Sequence, residues 1–266
     1  MTHIFILCIV QLLYPFCIDS FTKDIVEPHL TTTSLPGKDN TVLTRFSPPA
    51  GYIRPEHNSN TFAYYLNHLP LKEKGAFVNM HNGNMKANPG VYIGVVDLPI
   101  GTKNLHQCAD AVIRLRAEYL WNQKRWDDIH FNFLSDSKPR FYKDYVHEDH
   151  SYEAFWHYLE YIFEYANTSS LADELLPVPS MRSMQIGDVL IEKKQPFGHA
   201  VIVIDMAVNN QGKKVYLLAQ SYMPAQEIQV LTNPSNSTKS PWYELKEGGI
   251  VTPEWTFKQS HLKRFR

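Results

Sequence analysis

Between Asn104 and Trp121 the residues Leu105, Cys108, Ala109, Val112, Leu115 and Tyr119 recur at i, i+3, i+4 and i+7, the spacing that gathers side chains on one face of an α-helix. Asn104 stands where a helix cap belongs, and Gln107, three residues on, fits the far half of a capping box. Upstream, Phe62, Tyr65, Leu66 and Leu69 predict a short helix with Ser59 or Asn60 as cap and Pro70 as stop. Val91 to Leu98, bounded by Gly90 and Pro99, predicts a strand. Ser151 to Ala166 predicts a second long helix, with aromatic residues on nearly every side. A helix apolar all round is normally buried between layers. Past residue 185 the pattern changes to β-branched runs, QIGDVLI, HAVIVIDMA, KVYLLAQSY and EIQVL, and the NNQG between the second and third reads as a hairpin turn. One strand, two long helices and then a run of strands is an α+β order, with an antiparallel sheet at its C-terminal end. Residues 21–45, rich in Thr, Pro and Asp and without periodicity, read as an extended lead-in to a single domain over residues 46–266.

Composition narrows this picture. At 44% hydrophobic and 20% charged residues the chain has the means to bury a core. Its 26 basic residues are balanced by 27 acidic ones, which removes the broad attraction that nucleic acid exerts on a binding protein, so no nucleic-acid partner is expected. The run from Ile4 to Leu13 is apolar and only ten residues long. That is half of what crosses a bilayer, and it fits the core of a secretory signal. Residues 1–20 are therefore expected to be a signal peptide, and the mature chain an exported protein, periplasmic or associated with the cell envelope. No later segment reaches transmembrane length. Removal of the signal takes Cys8 and Cys17 with it and leaves Cys108 as a single thiol in an oxidising compartment, where an unpaired cysteine asks for a chemical explanation.

Cys108 falls at the fourth helical position if Asn104 is the cap. Unpaired N–H groups and the helix dipole favour a thiolate there. Thiol catalysis also needs an imidazole to carry the proton. Among the histidines His199 opens an apolar strand directly after Gly198, a residue that permits close backbone approach. The strand paired with it through the NNQG turn supplies a third group, Gln220 or its neighbour Ser221, and a register shift of one residue would exchange them. Gln220 is the stronger candidate, since its amide oxygen can accept from the imidazole while its NH2 finds another partner. Gln107 either donates to an oxyanion or merely closes the capping box. Asp110 and Arg114 stand at i, i+4, as an exposed pair or as a buried anchor. The run HEDH (His147 to His150) has ligand-type residues without metal-site spacing, and no cofactor motif is present, so neither a metal nor a cofactor is expected.

The segment GDVLIEKKQPFGHAVIVIDMA resembles the Gly-Asp strand and following Gly-His strand of papain-like cell-wall cysteine peptidases of the NlpC and CHAP types. In these a cysteine at a helix start precedes a strand histidine and then a polar residue on the next strand. The order Cys108, His199, Gln220 agrees, with the aromatic helix as an insertion. RFSPPAGYIR, LHQCADAVIRLRAEYLW, IHFNF, LLAQSYMPAQEI, SPWY and TPEWTF together resemble the bacterial family called domain of unknown function 4846 over roughly residues 45–257. The first resemblance implies a papain-like helix packed on an antiparallel sheet and a cysteine peptidase or amidase acting on a cell-envelope peptide or glycan substrate. The rival expectations are a non-catalytic envelope-binding or glycan-binding module, stacking ligand on Trp156, Tyr158 or Trp242, and a thiol acyltransferase.

Overall fold

A computed structural model describes residues 40–266. The expected signal peptide and most of the lead-in lie outside the described residues. The elements follow in the order α1 (Val42–Arg45), β1 (Tyr52–Ile53), α2 (Phe62–Asn67), β2 (Tyr92–Val95), α3 (Cys108–Asn122), β3 (His130–Asn132), β4 (Pro139–Phe141), α4 (Tyr142–Val146), α5 (Tyr152–Tyr165) and α6 (Thr168–Glu174). After them come β5 (Leu176–Pro177), β6 (Val189–Glu192), β7 (His199–Asn209), β8 (Lys214–Gln220), β9 (Gln229–Leu231), β10 (Tyr243–Glu244), β11 (Ile250–Val251), β12 (Thr256–Phe257) and β13 (Leu262–Arg264). Helices come first and strands dominate the end, so the fold is α+β. A helical turn, α1, occupies the end of the segment read as extended, and its Val42 is fully buried.

The main sheet runs β2-β9-β8-β7-β6-β13-β5, with β1 added on β7 and β10 on β8; every one of these pairings is antiparallel. Strand β7 is its spine: nine consecutive residues from His199 to Ala207 are buried, so both its faces are covered. Its start pairs with β6 and its end with β1 along the same edge. A bulge between Val203 and Asp205 breaks the ladder to β8, and the buried Asp205 carboxylate there is held by Arg54 at 2.7 Å. The turn into β8 is the hairpin that NNQG predicts. Gly212 takes φ +74°, and the Asn209 Oδ1 accepts from the N–H groups of Gln211 and Lys213.

Helix α3 packs on β7 and β8 and begins three residues later than its periodicity suggests, with Gln107 as N-cap and Cys108 as first helical residue. Asn104 cannot cap because its Oδ1 already accepts from the Ala225 N–H at 2.8 Å. Asp110 takes the capping-box position instead, accepting from the Gln107 N–H at 2.9 Å. Arg114, fully buried, is not paired with Asp110. It donates to Glu118 at 3.3 Å and to the Pro99 carbonyl at 2.6 Å, and it lies over the Trp156 ring. It is a buried anchor for the middle of the helix.

Helix α5, capped by Ser151, resolves into a buried stripe of Phe155, Tyr158, Leu159, Ile162 and Phe163, the i, i+3, i+4, i+7 set of an ordinary amphipathic helix. Its remaining aromatics cover that stripe from the sides or, like Tyr165, face solvent. Helix α2 is capped by Thr61, not by Ser59 or Asn60.

Candidate functional site

Cys108 occupies the first turn of α3, where helical N–H groups have no partner within the helix. Its Sγ lies 3.8 Å from the Thr168 Oγ1 at the start of α6. The Ala200 and Ala109 N–H groups also favour a thiolate at this sulfur, but they do not prevail. Burial pushes the Cys108 thiol up from its ordinary value, with Asp110 adding to the rise. The expectation that the helix start alone would acidify this cysteine is thus corrected: desolvation of the anion outweighs the dipole.

Gly198, which also lines the space around Cys108, stands where the chain passes closely between Glu192 and Thr168. A Cβ at that position would lie 2.3 Å from the Glu192 carbonyl oxygen and 2.9 Å from the Thr168 Cγ2, so only glycine fits between the strand and α6. The next residue, His199, is 2% exposed. Its ring is enclosed by Tyr222, Trp255 and Phe257, at centroid separations of 5.0, 5.3 and 6.0 Å.

Register decides the third group. Ile202 stands opposite Ala219, so one step further along the antiparallel ladder Gln220 faces Val201, on the same side of β7 as His199. The two are diagonal neighbours, within reach of a long side chain, and the His199 Nε2 lies 2.8 Å from the Gln220 Oε1. Ser221 points elsewhere, its hydroxyl donating to the His106 and Gln226 carbonyls. Burial lowers the His199 pKa to about 4; the Gln220 bond works against that shift and the Lys86 charge adds to it. At neutral pH both the thiol and the imidazole are therefore uncharged.

Behind Gln220 lies a chain of polar contacts to which sequence reasoning gave no clue. The Gln220 Nε2 donates to the Glu254 Oε2 at 2.6 Å. Lys86 donates to both Glu254 oxygens at 2.9 Å and to the Gln226 Oε1 at 3.1 Å. Glu254 comes from the turn between β11 and β12, and Lys86 from the irregular segment before β2. Neither position belongs to a periodic run, so nothing in the sequence connects them with His199.

Cys108 lines a cleft of about 270 Å³ together with Gln107, Asp110, Thr168, Gly198 and Met223. The Gln107 side chain is half-buried on this wall, with only long contacts from its Nε2 to Asn104, 3.4 and 3.5 Å. Asp110 is the other residue whose place here the sequence did not reveal. Its Oδ1 is buried without a hydrogen-bond partner among the described residues, and burial raises its carboxyl to about 8 against the opposing Gln107 N–H. The aromatic residues considered for ligand stacking are placed otherwise. Tyr158 is fully buried and donates to the Arg140 carbonyl, Trp242 is 3% exposed and donates to the Ser47 carbonyl, and Trp156 is half-buried beneath Arg114. Among the described residues no set of three or more His, Cys, Asp or Glu converges to hold a metal ion, and no helix is long and apolar enough to cross a membrane.

The model of the family described as domain of unknown function (4846) matches residues 42–264, and the chain belongs to that family. No curated protein and no solved structure matches it.

Proposed function

We propose that this member of the domain of unknown function 4846 family is an exported cysteine hydrolase, a peptidase or amidase that cleaves an amide bond of a cell-envelope substrate. The observation that carries the reading is the 2.8 Å contact between the His199 Nε2 and the Gln220 Oε1. It engages one ring nitrogen and leaves Nδ1 for a proton, on a strand against which α3 presents a cysteine at its first position. A histidine whose ring is oriented by an amide, with one nitrogen left to accept a proton, has the arrangement of a general base.

In this mechanism the Cys108 sulfur attacks the carbonyl carbon of the substrate while its proton passes to the His199 Nδ1. Transfer accompanies attack, because both groups start uncharged. The oxyanion is received by the Cys108 N–H at the helix start and by the Gln107 side-chain amide. Collapse breaks the C–N bond, and the proton on Nδ1 goes to the departing amine. His199 then takes a proton from water, which attacks the thioester carbonyl; the carboxylic acid leaves and the thiol is restored. The cell-envelope substrate and the export rest on the resemblance of residues 187–207 to cell-wall peptidases and on the apolar N-terminal run.

The test is covalent labelling of the protein lacking residues 1–20, by acylation with an activated amide or alkylation with a vinyl sulfone, over about pH 5 to 9. Cys108 is expected to label in the native state, and His199→Ala to slow labelling by about 100-fold or more. A thiol that reacts only after denaturation would make Cys108 a buried core residue, and the non-catalytic binding module would then replace the hydrolase.

A further inference from the structure

We propose that Glu254, held by Lys86, is a positioning residue that fixes the Gln220 amide with its oxygen toward His199 and so locks the imidazole as the Nε2–H tautomer, with Nδ1 as its basic nitrogen. The inference rests on the hydrolase reading for its purpose, but not for its geometry.

His199, Gln220 and Glu254 form one hydrogen-bonded chain. A carboxylate only accepts, whereas a glutamine side chain both donates and accepts. The group that Gln220 presents to Glu254 at 2.6 Å must then be its NH2, and the amide oxygen is turned the other way, to the His199 Nε2 at 2.8 Å. An amide oxygen cannot donate, so Nε2 carries the hydrogen. The ring is neutral, which leaves Nδ1 with its lone pair. Without an obligate acceptor beyond it, the amide could rotate and offer NH2 to the ring, reversing the tautomer.

Lys86 holds the Glu254 carboxylate in place. Its ammonium is buried, with side-chain exposure of 8% against 18% for Glu254. It contacts both carboxylate oxygens and the Gln226 Oε1, and lies over the Tyr222 ring at 4.9 Å. Gln226 is fixed in turn by Gln229, whose Nε2 donates to the same Oε1 at 3.0 Å, and Gln229 stands directly opposite Gln220 on β9. The chain thus closes on the sheet that carries His199. Its members come from four separate parts of the sequence, and the ammonium and carboxylate would be costly to bury without one another.

The experiment is nitrogen NMR of the protein lacking residues 1–20, with labelled histidine, on wild type, Glu254→Gln and Lys86→Met near neutral pH. The wild-type His199 ring is expected to give the widely separated pair of signals of a single neutral tautomer, with Nδ1 unprotonated. In E254Q the neighbour can donate as well as accept, and the two signals should move toward one another as both tautomers become populated. K86M should move them in the same direction. Cys108 acylation should slow in E254Q by about tenfold, well short of the roughly 10⁴-fold that a complete tautomer reversal brings. A wild-type ring protonated on Nδ1 overturns the proposal, whatever the variants do. So does an E254Q protein that melts as wild type and keeps the wild-type signals. If the signals shift as expected while wild-type Cys108 stays inert, the hydrolase reading fails and the tautomer lock stands. Should E254Q not fold, the wild-type tautomer and K86M decide between the same two outcomes.

Discussion

Asp110 and His199 are buried on opposite terms, and pH separates them. The His199 pKa falls from 6.5 to about 4 on folding and that of His106 from 6.5 to about 3, so below about pH 6.5 the unfolded chain binds more protons than the folded one and stability declines toward pH 4. Asp110 goes the other way. Its carboxyl rises from 3.8 to about 8, the folded chain holds the extra proton, and its contribution is lost as pH rises through 8. Asp110→Asn keeps an oxygen for the Gln107 N–H and removes the ionisation. It is expected to leave urea stability near pH 4 within about 1 kcal/mol of wild type and to exceed wild type at pH 9. Equal losses at both pH values would refute the assignment. For activity, neutral His199 is the working form, so the acid limb of the pH profile should fall near 4 and not near the ordinary 6.5 of a histidine. Cys108, His199 and Gln220 were legible because each sits at a recognisable position: a helix start, a strand start after glycine, and the partner strand of a hairpin. Glu254 and Lys86 were not, since loop residues acquire their meaning only from what the fold brings beside them.

Among the elements, the meeting of β7, α3 and α6 at Gly198 tolerates the least change. Gly198→Ala would drive a methyl into the Glu192 carbonyl and Thr168, and backbone on one side leaves little room to yield. Destabilisation of about 2 to 4 kcal/mol is expected, with a fall in Cys108 acylation larger than the stability loss explains, because β7 must move away from α6. Thermal melts beside labelling rates check both; a variant that melts and labels as wild type would show that the contact is slack. The longer elements were readable. The span of α5, the β7–β8 hairpin and the strands β6, β8 and β9 lie where period and turn residues put them, whereas the one-sided burial of α5 and the two- and three-residue strands do not show in the pattern. The start of α3 did not follow, because Asn104 is taken by the Ala225 N–H. A cap chosen from local spacing cannot register a competing partner 121 residues away.

Across the whole molecule the sheet order is not the chain order. Strand β13, at the end of the chain, lies between β6 and β5, and its Arg264 donates to both oxygens of the fully buried Asp188 at 2.6 and 2.8 Å. Loss of the guanidinium in Arg264→Met leaves a buried carboxylate with the Gln185 N–H as its remaining hydrogen-bond donor among the described residues. A cost of roughly 2 to 4 kcal/mol is expected, below the full range for a buried pair because Arg264 is itself one-third exposed. Denaturant titration reads it, and a loss under about 1 kcal/mol would mean that the pair is solvated like a surface bridge. The sequence announced an antiparallel sheet, yet the placement of a three-residue strand such as β13 depends on contacts too distant for any local pattern to record.

That placement also bears on the speed of folding. Strand β6 pairs with β13, β7 with β1 and β2 with β9, each across a long stretch of chain, and loops of that size must close before such pairings repay the entropy they cost. The β7–β8 hairpin, closed by a short turn, is therefore expected to form ahead of the strands that flank it.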